Sequence, residues 1–123
     1  MKAHVFALCL SLSLCLGLPL PALAFASPFT DVQETSSYYD AILWAAETGV
    51  TNGTTASSFS PDAPCTRAQI VTFLWRAAGS HAPKGTAKVP GDVLPGSYCY
   101  DAVAWALENG ITNGLADGTF GVN

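Results

Sequence analysis

One arginine stands at the start of the most helix-like stretch of the sequence, Cys65–Gly79. Thr66 and Gln69 have the spacing of a capping box, in which the threonine hydroxyl accepts from the glutamine N–H and the glutamine side chain reaches back. Arg67 is then the first helical residue, where the helix dipole disfavours a cation by about 0.3–1 kcal/mol. A guanidinium beside free helix N–H groups can bind an anion, because both present donors at the same place. The alternative is an arginine that lies along the surface or pairs with an aspartate.

The sequence contains no recognisable combination of residues for catalysis or for metal binding. Outside the N-terminal segment the only histidine is His81, which cannot complete a Ser/His/Asp set. Asp40 and Glu47 could be the two catalytic carboxylates of a glycosidase. We favour the simpler interpretation that both lie on the solvent-exposed side of a helix. The stretch 113–118 is weakly similar to a calcium loop, although Leu115 occupies a ligand position. We therefore expect no enzymatic activity, no metal and no cofactor.

The N-terminus has the pattern of a cleaved export signal. A basic start at Lys2 and an apolar run over 5–18 precede small-x-small sites ending at Ala24 and Ala26. We expect residues 1–26 to be a signal peptide cleaved after one of these alanines, and the protein to be secreted. The apolar run is shorter than the roughly 20 residues of a membrane span, so no membrane partner is expected after cleavage. A net charge of −4 without a basic stripe argues against nucleic acid as a partner.

The chain after the signal repeats itself with a constant offset of 61 residues, as between Asp40 and Asp101. Matched pairs include Asp31/Asp92, Val32/Val93, Tyr39/Tyr100, Trp44/Trp105, Gly53/Gly114 and Phe59/Phe120. So many matches in one gapless register indicate an internal repeat.

Each repeat is predicted to be a helix–loop–helix unit, which makes the fold all-α. The first helix spans about 37–48 in one unit and 97–109 in the other, and each ends at a glycine. The capped helix over Cys65–Gly79 is the second helix of the first unit, and the second unit lacks its counterpart. The resulting organisation is repeat 1 at 27–79, a linker at 80–88 and a partial repeat 2 at 89–123.

The helix pattern also predicts which helices meet. We expect the capped helix to cover Ile42 and Leu43 of the first helix. The helix with Trp105 would then lack such a cover, and would stay partly exposed, pair with another molecule or belong to a longer protein. Trp44 lies on nearly the opposite side of its helix from the apolar face, where it serves either the core or a ligand.

Two cysteines, Cys65 and Cys99, lie outside the signal. Exported proteins occupy compartments that can permit disulfides, so a bridge between them is compatible with the sequence. Two free thiols are equally compatible, since a reducing or anaerobic habitat would leave both reduced.

The repeats resemble the S-layer homology domain family, over one whole unit and about two thirds of a second. The motifs that carry the resemblance are Phe29–Val32, Ala41–Trp44, Gly49–Gly53, Phe59–Pro61 and Thr66–Gln69. The last of these is Thr-Arg-Ala-Gln, at the family's distance from Gly-Val-Thr-Asn-Gly, and it is the most specific.

The resemblance implies that an exported protein is held noncovalently at the bacterial cell wall or S-layer. The usual ligand in the family is a secondary cell-wall polysaccharide with pyruvylated N-acetylmannosamine, bound in grooves between three associated repeats. The arginine that contacts the acidic sugar would be Arg67, while Thr66 and Gln69 shape the helix end. The candidates for lining a groove are Trp44, Trp105, Gly53 and Gly114.

Departures from the family pattern keep an alternative open. Only one Thr-Arg-Ala-Gln copy is present, Pro90 replaces the motif phenylalanine, and two repeats cannot close a threefold bundle. The alternative is a structural or oligomerisation module, or a truncated piece of a larger surface protein or enzyme, that binds no glycan itself. Its partners would be other such repeats, in cis or in trans.

Overall fold

The structure, a computed structural model, describes residues 25–123. In this range it contains three helices and no strand: α1 at Tyr39–Glu47, α2 at Arg67–Ala77 and α3 at Tyr100–Glu108. The predicted all-α fold is therefore confirmed. Nearly all of the expected signal peptide, residues 1–24, lies outside the described range. None of the three helices has the length and apolar character that crossing a bilayer requires.

Helices α1 and α3 are copies of one another in structure as well as in sequence. Each has nine residues, begins at a tyrosine and ends at a glutamate. Gly49 and Gly110 follow the two helices with φ of 74° and 68°, the left-handed conformation that terminates a helix. The internal repeat is thus a repeat of folded elements.

Helix α2 begins with the predicted capping box. Thr66 Oγ1 accepts from the backbone N–H of Gln69 at 3.2 Å, and Gln69 Oε1 accepts from the backbone N–H of Thr66 at 2.8 Å. Both bonds satisfy N–H groups that would otherwise lack a partner at the helix start. Gly79, with φ of 93°, follows the last turn.

The expected packing of α2 against α1 is wrong, because α2 packs against α3 instead. Within residues 25–123, α1 contacts neither of the other helices. The main core accordingly joins one face of α2 to the second unit. Its buried members are Ala68, Val71, Val93, Cys99, Ala102, Val103, Ala106 and Phe120.

Small residues of α3 permit this close pairing. Ala102 and Ala106 are fully buried, so the two helices can approach closely at these positions. Trp105 packs at the edge of the same core and is half-buried. The second unit therefore has the helical cover that it was expected to lack, and α2 supplies it.

A second, smaller core lies under α1. Phe29, Val32 and Ile42 are buried there, and the ring of Phe59 packs on Phe29 with centroids 5.5 Å apart. This core consists of loop residues and one helix face. The other side of α1 is left open, so that Trp44 is 55% exposed.

The disulfide considered between Cys65 and Cys99 is not formed in this structure, where both are free thiols. Cys65 is exposed in the segment before α2, whereas Cys99 is buried in the main core. The Cys99 thiol lies 3.6 Å from the Ser97 hydroxyl. Its part in the structure is to fill space beside α2.

Candidate functional site

Arg67 lies where the first unit meets the second. Its Nε donates to the Phe120 carbonyl oxygen at 2.9 Å, and the guanidinium carbon lies 5.1 Å from the centroid of the Phe120 ring. The first contact is a charge-assisted hydrogen bond and the second a cation–π contact. Because the hydrogen bond uses Nε alone, both terminal nitrogens remain as donors within the described chain.

A groove of about 180 Å³ runs beside this arginine, along α2 and the last loop. Its residues are Arg67, Ile70, Val71, Leu74, Ile111, Thr112 and Phe120. Ile70, Leu74 and Ile111 are each about half exposed, so the floor is apolar and open to solvent. A cationic end on an apolar floor suits a ligand that has both a negative charge and apolar ring faces.

Thr66 and Gln69 hold the helix end in shape. Their side chains are engaged with each other's backbone N–H groups, as the capping box requires. They fix the position of Arg67, the residue next to Thr66, relative to the helix axis. Of the three motif residues, only Arg67 lines the groove.

Gly53 and Gly114 form the turns after α1 and α3, with φ of 76° and 77°. A Cβ on Gly53 would lie 2.4 Å from Phe29 Cε1, and one on Gly114 would lie 2.8 Å from the Thr119 carbonyl oxygen. Each turn is also closed by a threonine, since Thr51 and Thr112 accept from the glycine N–H at 3.1 Å and 3.2 Å. The structure thus gives both glycines a steric role.

The structure does not bring the predicted site residues together in one place. Gly53 and Gln69 line a second groove of about 320 Å³, away from Arg67, together with Arg76 and Tyr98. Arg76 Nη1 donates there to the Val50 carbonyl oxygen at 3.3 Å. Arg76 and Tyr98 were not singled out by the sequence, because neither belongs to a repeated motif.

The two tryptophans, although equivalent in sequence, differ in environment. Trp44 is exposed on α1, whereas Trp105 is half-buried against the main core. Neither lines the groove at Arg67 or the groove at Arg76. The difference arises because α2 covers only α3.

Two aspartates that were not among the predicted site residues hold the loops at 59–60 and 120–121 through backbone hydrogen bonds. Asp92 accepts from the backbone N–H groups of Phe120 and Gly121, both at 2.8 Å. Asp31 accepts from Phe59 and Ser60 in the same way, at 2.9 Å and 2.8 Å. We call each arrangement an aspartate clamp. The signal in the sequence was the recurrence of Asp-Val at the repeat offset, ahead of a recurring phenylalanine.

The clamps lower the pKa of both carboxyl groups. The hydrogen bond from Phe59 is the largest cause for Asp31, and that from Phe120 is the largest for Asp92. Both bonds favour the ionised form. Glu108 has a similar role: it accepts from the backbone N–H groups of Lys84 and Thr86, which lowers its pKa and holds the linker against α3.

We expect the protein to lose stability in acid because of these clamps. A carboxyl whose pKa is lower in the folded state stabilises the fold fully above its unfolded pKa, about 3.9, and loses that contribution as the pH falls below it. Melting temperatures measured from pH 7 to pH 3 should therefore drop below about pH 4–5. The double variant Asp31→Asn, Asp92→Asn should melt lower at pH 7 and depend less on pH. An unchanged pH dependence in this variant would contradict the assignment.

Comparison with known proteins identifies the repeats. The family model of the S-layer homology domain matches residues 28–71 and 92–123. A cell surface protein of Thermoanaerobacter kivui is 30% identical over 104 residues, covering 81% of this chain and 14% of that protein. An endoglucanase of Bacillus sp. (strain KSM-635) is 34% identical over 98 residues, covering 80% of this chain and 10% of that protein. The chain thus spans a small part of either relative's length. No solved structure matches it.

Proposed function

The chain belongs to the S-layer homology domain family, and from this we propose that it anchors an exported bacterial protein noncovalently to the cell wall. The ligand is an acidic, pyruvylated secondary cell-wall polysaccharide. The family is one of binding modules, and its relatives here include a protein named for the cell surface. Arg67 is the residue that contacts the acidic group.

The position of Arg67 supports this proposal most directly. It occupies the first position of α2, where the positive end of the helix dipole and two unused guanidinium nitrogens can both favour one anion. A carboxylate fits the planar donor fork of arginine. The adjoining apolar groove suits the less polar faces of sugar rings.

Removal of the acidic group from the ligand tests the proposal. We expect the protein to cosediment with purified cell walls, and to be retained at least tenfold less by walls from which mild acid has cleaved the pyruvyl ketals. The loss corresponds to one missing hydrogen bond to a charged group, about 1.5–3 kcal/mol. Walls carried through the same treatment at neutral pH are the control. Equal retention by both preparations would refute an acidic-sugar ligand.

The open side of α1 supports a second role, association with other repeats of this family in cis or in trans. Ala102 of α3 is fully buried beneath α2, whereas its equivalent Ala41 on α1 is exposed, as is the neighbouring Trp44. The contact of α2 with the equivalent face of α3 supports a partner surface of the same kind for α1. The proposed partner is therefore a second helix of the α2 type.

Association through α1 would be visible as a rise in mass with concentration. In sedimentation equilibrium we expect the chain to form oligomers at high concentration and Ala41→Glu to weaken them. Ala56→Glu places the same charge on an exposed loop and is the matched control. If Ala41→Glu and Ala56→Glu associate equally, α1 is not the contact surface.

A further inference from the structure

We propose that Asp92 and Phe120, both in the second repeat, are positioning residues for Arg67: they hold its guanidinium in the orientation in which it binds the ligand. The inference rests on the proposed function and deepens it. It concerns which residues of the second repeat hold the side chain of Arg67.

Three contacts fix the side chain of Arg67, and all lie on the second repeat. The Phe120 carbonyl oxygen accepts from Nε at 2.9 Å, and the Phe120 ring lies beneath the guanidinium. The aliphatic stem passes over Gly121, where an added Cβ would lie 3.6 Å from Arg67 Cδ and Nε. Residues 120–121 thus form a shelf under the arginine, which we call the arginine shelf.

Asp92 determines where this shelf lies. Its two carboxylate oxygens accept from the backbone N–H groups of Phe120 and Gly121, so that the peptide units on either side of Phe120 are held. The carbonyl that receives Arg67 Nε belongs to the residue whose N–H is bound to Asp92. Asp92 acts on the ligand only through this backbone, without touching it.

A fixed guanidinium binds an anion more tightly than a mobile one. A free arginine side chain loses about 0.5–1.5 kcal/mol of conformational freedom when a ligand immobilises it. The arginine shelf immobilises the Arg67 side chain before any ligand binds. It does so through a hydrogen bond from Nε, which leaves the two terminal nitrogens for the ligand. Loss of the shelf should therefore reduce affinity while Arg67 itself remains.

The first repeat contains a matched control. Asp31 clamps Phe59 and Ser60 with the same geometry, but the hydrogen bond and the cation–π contact of the Arg67 side chain are both with Phe120 of the second repeat. Ser60 even has the positive φ of its equivalent Gly121, 61° against 74°. The two clamps are alike as structural devices and differ in whether an arginine lies on them.

The experiment compares Asp92→Asn with Asp31→Asn in the full chain, at a temperature at which circular dichroism shows both folded. Binding to purified native cell walls should weaken about three- to tenfold in Asp92→Asn and less than twofold in Asp31→Asn, as the ordering cost above implies. In the ¹⁵N-labelled protein, the Arg67 Nε–H should exchange slowly in the wild type and in Asp31→Asn, and faster in Asp92→Asn. If Asp92 only stabilised the fold, Asp92→Asn and Asp31→Asn would give the same wall binding and the same exchange at Arg67 Nε–H.

Equal binding by the two variants, or unchanged exchange at Arg67 Nε–H in Asp92→Asn, would overturn the positioning role. If Asp92→Asn does not fold, Phe120→Leu replaces it and Phe59→Leu becomes its control. The leucine removes the ring under Arg67 but keeps the carbonyl, and should weaken binding about two- to fivefold. Undiminished binding by Arg67→Ala would overturn the proposed function itself, whereas a loss in that variant alone would overturn only the positioning role.

Discussion

Retention by native cell walls should fall at least tenfold when Arg67 is replaced by alanine. The substitution removes two terminal donors that are free to bind an anion, together with the charge that the ligand would neutralise. A hydrogen bond to a charged group contributes about 1.5–3 kcal/mol, which is roughly 10- to 150-fold in affinity. Cosedimentation with purified walls over a range of protein concentrations measures the change.

Two further variants test whether the loss of retention in Arg67→Ala comes from the missing guanidinium and not from a change in net charge. Lys88→Ala removes one positive charge from an exposed linker position and should bind like the wild type. Arg67→Lys keeps the charge but loses the planar fork, and should recover only part of the affinity. Arg67→Ala should stay helical, since a cation at the first helical position does not stabilise α2. Wild-type retention of Arg67→Ala would rule out this arginine as the sugar contact.

The sequence predicted the local features of this fold because they depend on nearby residues. The capping box of α2 requires only Thr66 and Gln69, three positions apart, and it forms with both hydrogen bonds. The ends of α1 and α3 follow from Gly49 and Gly110, which adopt the left-handed conformation. The family resemblance rested on the same short motifs, and the family model matches over them.

The partner of α2 could not be predicted in the same way. Helices α1 and α3 offer nearly the same pattern, with Ala41 matching Ala102 and Trp44 matching Trp105. Periodicity identifies an apolar face, but it does not decide between two copies of it. In the structure, Glu108 holds the linker against α3 through Lys84 and Thr86, which favours the contact with α3.

The surroundings of Arg67 were also beyond sequence reasoning. The place of Arg67 at the positive end of the helix dipole indicated that it serves something other than helix stability, but its contact with Phe120 joins residues 53 positions apart. The Asp92 clamp spans 28 positions. Such contacts depend on how the loop returns to the helix, which no short-range spacing encodes. The recurring Asp-Val pair marked the residue without revealing what it binds.

Gly53→Ala should be the most destabilising of the glycine-to-alanine substitutions in residues 25–123. Gly53 has φ of 76°, a conformation that costs a residue with a side chain about 1–2 kcal/mol. The new Cβ would also lie 2.4 Å from Phe29 Cε1 and 2.6 Å from the Ser58 carbonyl oxygen. Forcing these atoms apart adds about 1–3 kcal/mol. The total, roughly 2–5 kcal/mol, is a large part of the 5–15 kcal/mol that stabilises a typical domain.

Gly49→Ala isolates the steric part of this effect. Gly49 has nearly the same φ, 74°, but a Cβ there would have no atom within 4 Å. Urea unfolding followed by circular dichroism should therefore show a loss of about 1–2 kcal/mol for Gly49→Ala and a clearly larger loss for Gly53→Ala. Equal losses would mean that Phe29 and the 54–58 loop move aside freely. In that case the turn after α1 is not held by the contact with Phe29, and Gly53 is required for its backbone conformation alone.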